Sequence, residues 1–131
     1  MLHSTTPARI GAGEASTVSF AGTFSDAGSN GPYTFLWNFG DGTTANPQNA
    51  THVYADNRAY AATLTVTSAD GRAGNDQLTV TVNNVAPNLA LNAVTAVYEN
   101  GTATLTGTIA DPGTLDTFTL VVGWGDSASP N

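Results

Sequence analysis

The chain has 131 residues, a formal net charge of −7 and only three basic side chains, all of them arginines. Nucleic acids and anionic membranes attract clustered lysine and arginine, so this composition argues against both as partners. Without cysteine the fold has no disulfide, and without lysine it has no lysine–asparagine isopeptide cross-link. No run of 18 apolar residues is present, so no membrane-spanning helix is predicted.

The first third of the chain predicts short strands separated by turns. Residues 1–8 are polar and are expected to form a loose leader, and a short strand follows near Ile10. The next strand places alternate side chains on one face, at Val18, Phe20, Gly22 and Phe24. Turn residues fill 26–32, and aromatic side chains then occupy every second position from 33 to 39. This second alternation predicts a half-buried strand.

Three further strands are expected before residue 84. One lies around 51–54, the next points Tyr60, Ala62, Leu64 and Val66 inward, and the last points Leu78, Val80 and Val82 inward. The 21 threonines occupy many of the outward positions, where a β-branched polar side chain tolerates water. Six or seven short strands with no helical periodicity predict an all-β antiparallel β-sandwich.

A set of aromatic, glycine and acidic residues in the first part of the chain resembles the signature of the PKD (polycystic kidney disease) domain. The set comprises the strand and turn Trp37-Asn38-Phe39-Gly40-Asp41-Gly42, the pair His52 and Tyr54, and Tyr60 at the start of an alternating strand. The resemblance covers residues 9–83 and implies an immunoglobulin-like β-sandwich. It also implies a non-catalytic module, since that family is mostly without enzymatic activity.

The sequence after a linker at 84–88 repeats the beginning of the chain. A gap-free shift of 85 residues aligns Glu14 with Glu99, Gly22 with Gly107, Asp26 with Asp111, and Trp37 to Asp41 with Val122 to Asp126. Residues 89–131 are therefore interpreted as the N-terminal half of a second PKD-like repeat, with Trp124 and Asp126 in the motif positions. This copy departs from the family pattern at Gly123 and at Ser127.

The predicted second repeat has an apolar face that lacks a covering sheet. That face is expected at Leu105, Ile109, Phe118, Leu120 and Trp124. Apolar side chains in water and unpaired strand edges are both unfavourable, so we expect this face to be buried against another chain. A short linker stiffened by Pro87 is expected to disfavour folding back onto the first domain.

The titratable residues predict no enzyme. His3 lies in the leader, and His52 occupies a family motif position without a nucleophile beside it in the sequence. The resemblance implies a Ca²⁺ site at Asp26 and, through the repeat, at Asp111, although no cofactor is required. Asp41 and Asp126 are expected to accept hydrogen bonds from their own turns. Trp37 lies on the inward face of its predicted strand, so it is expected to be a core residue rather than a sugar-binding platform.

Three functions remain open from the sequence. The first is an extracellular or cell-surface repeat that acts as a spacer or in adhesion, with neighbouring repeats, other proteins or extracellular polysaccharide as partners. The second is an accessory module of a secreted hydrolase. The third is a filament or assembly subunit, a homo-oligomer whose second repeat is completed by strands of a neighbour. Asn49 and Asn100 are glycosylation acceptors only in a glycosylating host.

Overall fold

The computed structural model describes residues 2–5, 9–28 and 30–125 of the chain. The described residues contain no helix, in agreement with the sequence, and none is therefore available to cross a membrane. They form eleven strands: β1 (Leu2–Thr5), β2 (Arg9–Gly13), β3 (Thr17–Ala21), β4 (Thr23–Asp26), β5 (Thr34–Asn38), β6 (Thr44–Ala45), β7 (Asn49–Val53), β8 (Arg58–Thr67), β9 (Ala73–Asn83), β10 (Asn88–Leu91) and β11 (Gly107–Ala110).

The larger sheet has five strands in the order β2-β9-β8-β5-β6. All its pairs are antiparallel except β2 with β9, which run parallel from Arg9 beside Thr79 to Gly13 beside Asn83. Strands β3 and β7 form a separate antiparallel pair. Side chains of that pair meet those of the five-stranded sheet in one core, so the first part of the chain is a β-sandwich.

The core contains the inward side chains that the alternation predicts. Trp37 is 0% exposed, its ring centroid lies 5.2 Å from that of Phe20, and its backbone pairs with Leu64. The indole Nε1 of Trp37 donates a hydrogen bond to the carbonyl of Gln48 at 3.2 Å. This tryptophan is therefore a core residue that joins the two layers. The other buried apolar residues are Val18, Phe20, Phe39, Ala50, Tyr54, Tyr60, Ala62, Leu64, Val66, Leu78, Val80 and Val82.

Several predicted element boundaries differ from those observed. The leader contains β1, which pairs with β4, and a strand β10 begins at Asn88, inside the predicted linker. The alternating segment 118–124 forms no strand. Its equivalent β5 pairs with β8, and no second run like β8 follows within the 131 residues. Alternation predicts which way side chains point, but a strand also needs a hydrogen-bonded neighbour.

Backbone features recur with the 85-residue spacing seen in the sequence. In the β1–β4 pair Ser4 lies opposite Phe24, and in the β10–β11 pair Leu89 lies opposite Ile109. The two non-glycine residues with positive φ among the described residues, Ala15 at 56° and Asn100 at 62°, are separated by the same spacing. The turns around them close with equivalent hydrogen bonds, from Ser16 N to Gly13 O at 3.2 Å and from Gly101 N to Tyr98 O at 2.8 Å.

Candidate functional site

The turn after β5 requires glycine at one position for steric reasons. Gly40 has a φ of +84°, and a Cβ built on it would lie 2.6 Å from the carbonyl oxygen of Ala61. Gly42 also has a positive φ, +94°, but nothing lies within 4 Å of its Cβ position. The turn thus packs closely against β8 at Gly40. At Gly42 glycine is favoured only because the φ angle is positive.

Asp41 and His52 form a hydrogen-bonded pair beside this turn. His52 Nε2 lies 2.6 Å from Asp41 Oδ2, and Asp41 Oδ1 accepts from Thr43 N at 3.0 Å and from Thr43 Oγ1 at 2.6 Å. Burial raises the pKa of Asp41, but the hydrogen bonds from Thr43 and His52 outweigh it, so the pKa is lowered. Asp41 is therefore a turn-stabilising carboxylate that also holds His52.

The Thr43, Asp41 and His52 side chains are not arranged as a catalytic triad. Both Asp41 Oδ2 and Thr43 Oγ1 face the same ring nitrogen, His52 Nε2, at 2.6 and 3.4 Å. A triad needs the carboxylate on one ring nitrogen and the nucleophile on the other, so that a proton can pass between them. The His52 ring also stacks on Phe39, with centroids 4.2 Å apart. The geometry is that of a structural histidine.

Two tyrosines complete the motif that the sequence singled out. Tyr54 OH donates to the carbonyl of Phe39 at 2.9 Å, and burial raises the pKa of Tyr54. Tyr60 OH donates to the carbonyl of Asp56 at 3.0 Å, and the two tyrosine rings stack with centroids 4.3 Å apart. Both hydroxyls thus tie turns to the core and are not free for chemistry.

Asp26, the predicted Ca²⁺ ligand, lies in the turn after β4. Its carboxylate accepts from Gly28 N at 3.0 Å, Asn30 N at 3.4 Å and Tyr33 OH at 3.2 Å, and Arg72 lies 3.8 Å away. The hydrogen bond from Gly28 is the main cause of a lowered pKa of Asp26. Donors therefore surround this carboxylate in the structure, and its metal role stays a prediction that this geometry does not favour.

A second acidic group lies where several strands end. Glu14 follows β2, Asp56 follows β7, and Asp116 lies in the loop after β11; their carboxylate oxygens lie within 4.8 Å of one another. Glu14 is 2% exposed, and both Glu14 Oε2 and Asp111 Oδ2 are buried without a hydrogen-bond partner. Burial, followed by the negative charges of Glu14 and Asp111, raises the pKa of Asp116. We refer to Glu14, Asp56, Asp111 and Asp116 as the acidic junction.

The loop carrying Asp111 and Asp116 contacts the first domain, contrary to the expectation from the proline-containing linker. Thr114 N donates to the carbonyl of Ala55 at 3.1 Å, and Val85 N in the linker donates to Glu14 Oε1 at 2.7 Å. Proline stiffens the linker, but a stiff linker can still hold a following loop against the strand ends. The contact is confined to this loop, since the apolar side chains that follow it, such as Leu120 and Trp124, stay largely exposed.

The sequence signals covered only part of this group. Through the repeat the sequence predicts Asp111 as a ligand, but it does not predict Glu14, Asp56 or Asp116. These residues are distant in sequence, so no local motif unites them. The available signal was an acidic residue at or near a strand end, directly after β2 at Glu14 and three residues after β7 at Asp56, because strand ends from one edge of a sandwich meet in space.

The predicted assembly face is largely exposed in the single chain. Ile109 is 45% exposed, Phe118 47%, Leu120 61% and Trp124 60%, while Leu105 is half-buried. The expected burial against another chain remains a prediction. Asp126, the predicted turn carboxylate of the second copy, lies outside the described residues, as does Ser127.

The sandwich, its aromatic core and its glycine-rich turn define an all-β immunoglobulin-like domain. The sequence pattern of the PKD domain family matches residues 4–82. This match covers more than half of the chain, which therefore belongs to the PKD domain family.

Collagenase ColA of Bacillus cereus is 47% identical to this chain over 49 residues. The match covers 37% of this chain but spans only 5% of the collagenase. The structure of the PKD1 domain from the Vibrio cholerae metalloprotease PrtV is similar with a TM-score of 0.52 and 30% identity, over 63% of this chain and 96% of that domain.

Carbohydrate-binding modules of the β-sandwich superfamily are also similar in structure. The TM-score is 0.54 at 18% identity, and the match covers 72% of this chain and 45% of the other. At this identity the similarity shows a common β-sandwich fold.

Proposed function

We propose that the chain is a non-catalytic extracellular module that spaces other domains in a tandem array of PKD repeats. The observation that carries this proposal is the parallel pairing of β2 with β9, the first and last strands of the larger sheet. Because both strands run the same way, the chain enters the sandwich at one end and leaves it at the other. This direction suits repeats that are joined end to end.

The proposal that residues 88–131 begin a second repeat has independent support. The strand register, the positive φ and the turn hydrogen bonds all recur after 85 residues, and these are backbone features that chance similarity of side chains does not produce.

The 11 residues of β9 span about 36 Å at roughly 3.3 Å per residue. A repeat therefore lengthens the array by several nanometres.

Small-angle X-ray scattering on the monomeric chain tests the spacer function. A compact domain of 131 residues has a radius of gyration of roughly 14 Å. We expect a clearly larger value, a skewed distance distribution and a Kratky plot with the peak of a folded chain. A value near 14 Å with a symmetrical distribution would contradict end-to-end arrangement.

We also propose that the module serves as the accessory part of a hydrolase acting on extracellular fibres. The 47% identity with a segment of a collagenase favours this candidate, and collagen is an extracellular protein. Trp37 and Phe39 are buried, so any binding surface would use other side chains.

Co-sedimentation distinguishes the two candidates. The purified chain is mixed with insoluble collagen and, separately, with insoluble polysaccharide, and the Trp37→Ala chain serves as a misfolded control. Saturable binding to collagen supports the accessory function. No binding above the control to either polymer would leave the spacer function and exclude the accessory one for these polymers.

A further inference from the structure

We propose that the larger sheet takes up segment 117–122 of a second copy of this chain as an additional strand beside β5. The binding site is the free edge of β5, which comprises Thr34, Phe35 and Leu36. The spacer function concerns successive repeats within one chain, whereas this contact joins different chains. Either proposal can therefore fail without the other.

One side of β5 is only partly covered. On one side, every residue of β5 pairs with β8. On the other side, β6 has two residues and pairs only with Trp37 and Asn38. Among the described residues no further strand lies on that side, so the free edge is open to an added strand.

Pro47 prevents β6 from extending along the free edge. Continuing the register of β5 with β6 would place Pro47 opposite Phe35. Phe39 N donates to the carbonyl of Thr43 at 3.1 Å, and alternate residues of a strand direct their backbone groups to the same side, so Phe35 also points to this side. Proline has no N–H for the carbonyl of Phe35. In the described part of the chain Phe35 has no backbone partner here.

Segment 117–122 has the composition of a strand but forms none in the structure. It reads Thr-Phe-Thr-Leu-Val-Val, without charge or proline. Six-residue segments of high β-propensity and no charge pair readily with an unpaired strand edge. Leu120 is 61% exposed and Val121 is 85% exposed. The segment therefore lacks both a backbone neighbour and cover for its apolar side chains.

The same chain does not place its own segment on the free edge. Thr114 N donates to the carbonyl of Ala55 at 3.1 Å, close to the start of β8 at Arg58. Leu36 pairs with Thr65, seven residues further along β8, which is roughly 23 Å at about 3.3 Å per residue. The segment that follows the loop shares a groove with β10 and β11 instead. The free edge is thus left for a second copy.

The alternation of the segment fits this edge. Phe35 is half-buried and packs against the core. An added strand with Leu120 on the core side covers Phe35 with an apolar side chain. Thr119 and Val121 then lie beside Leu36 on the outer face of the sheet, because successive side chains alternate.

Charge does not oppose the contact at the place where it forms. The chain carries a net charge of −7, which favours separate monomers. Neither the free edge nor segment 117–122 contains a charged residue, so their pairing buries no charge. Lysine commonly protects edge strands from pairing, and this chain has none.

Disulfide cross-linking tests the contact in the full chain, which has no natural cysteine. Leu36→Cys is mixed with Thr119→Cys or with Val121→Cys in a glutathione redox buffer, and intact mass identifies which variants are joined. Cysteines form a bridge only when their Cα atoms lie within about 7 Å. We expect at least one mixture to yield several-fold more joined chains than Leu36→Cys with Tyr98→Cys, a control at a 92% exposed position.

Two results of the cross-linking would overturn the proposal. One is an equal yield in all three mixtures, which would mean random collision. The other is a predominant dimer of Leu36→Cys with itself, which would mean that two β5 edges pair with each other. Circular dichroism confirms beforehand that each variant is folded, and all four positions are exposed in the structure.

Light scattering on two lysine variants gives an independent measurement. Leu36→Lys places a charge on the free edge, so the concentration at which the mass rises should increase several-fold. Thr81→Lys adds the same charge on the outer face of β9, which has strands on both sides, and should behave like the natural chain. An equal shift in both variants, or a shift in neither, would contradict binding at the free edge.

Discussion

Trp37, which the sequence predicts as a core residue, is fully buried and contacts both layers of the sandwich. Replacing a buried tryptophan by alanine costs roughly 3–5 kcal/mol, against a total stability of about 5–15 kcal/mol for a domain. We expect Trp37→Ala to lower the melting temperature strongly, measured by circular dichroism. Leu36→Ala is the control, since Leu36 is the neighbour on the other face and is 44% exposed. Equal effects of both changes would contradict the assignment of Trp37 to the core.

Asp41 should make the stability of the first sandwich sensitive to acid. Its pKa in the folded chain is lowered from 3.8, so its contribution is present above that value and is lost as the pH falls through the lowered pKa. Melting temperatures measured from pH 6 to pH 2 should fall less steeply for Asp41→Asn than for the natural chain. Some slope should remain in the variant, because Asp26 and Asp70 also have lowered pKa values. Parallel curves would show that the His52 pair contributes nothing.

The turn between β5 and β6 can be tested by two matched glycine substitutions. Gly40→Ala places a methyl group 2.6 Å from the carbonyl oxygen of Ala61 and also strains a positive φ. Gly42→Ala strains a positive φ but meets nothing within 4 Å. Backbone strain of this kind costs roughly 1–3 kcal/mol, so urea unfolding should show a loss for both and a larger loss for Gly40→Ala. An equal loss would mean that β8 moves aside.

For the strands, the sequence predicts which side chains point inward but not which strands pair with each other. The inward sets of β3, β5, β8 and β9 follow from alternation, because successive side chains point to opposite faces. Strands β1 and β10 were not predicted, because each has only four residues and β1 lacks an alternating apolar pattern. Segment 118–124 has the alternation of a strand without the neighbour that β8 provides for β5.

Across the whole molecule, the exposed apolar side chains of the second half predict association between chains. Leu120 is 61% exposed and belongs to the predicted assembly face, while its neighbour Val121 is 85% exposed and does not belong to it. Light scattering over a range of concentrations should show a mass that rises for the natural chain and for Val121→Asp but stays monomeric for Leu120→Asp. A monomer at every concentration in the natural chain would refute the prediction.

The sequence by itself determined the all-β sandwich, its core and its characteristic turn, because each depends on short-range patterns: alternation, glycine in turns and aromatic spacing. It also predicted the 85-residue repeat, which needs only self-comparison. Tertiary structure alone decided that Asp41 pairs with His52, and that Glu14 and Asp56 meet Asp116. Those contacts join residues far apart in the chain, and their geometry depends on strand register and on how loops dock, which no local pattern encodes.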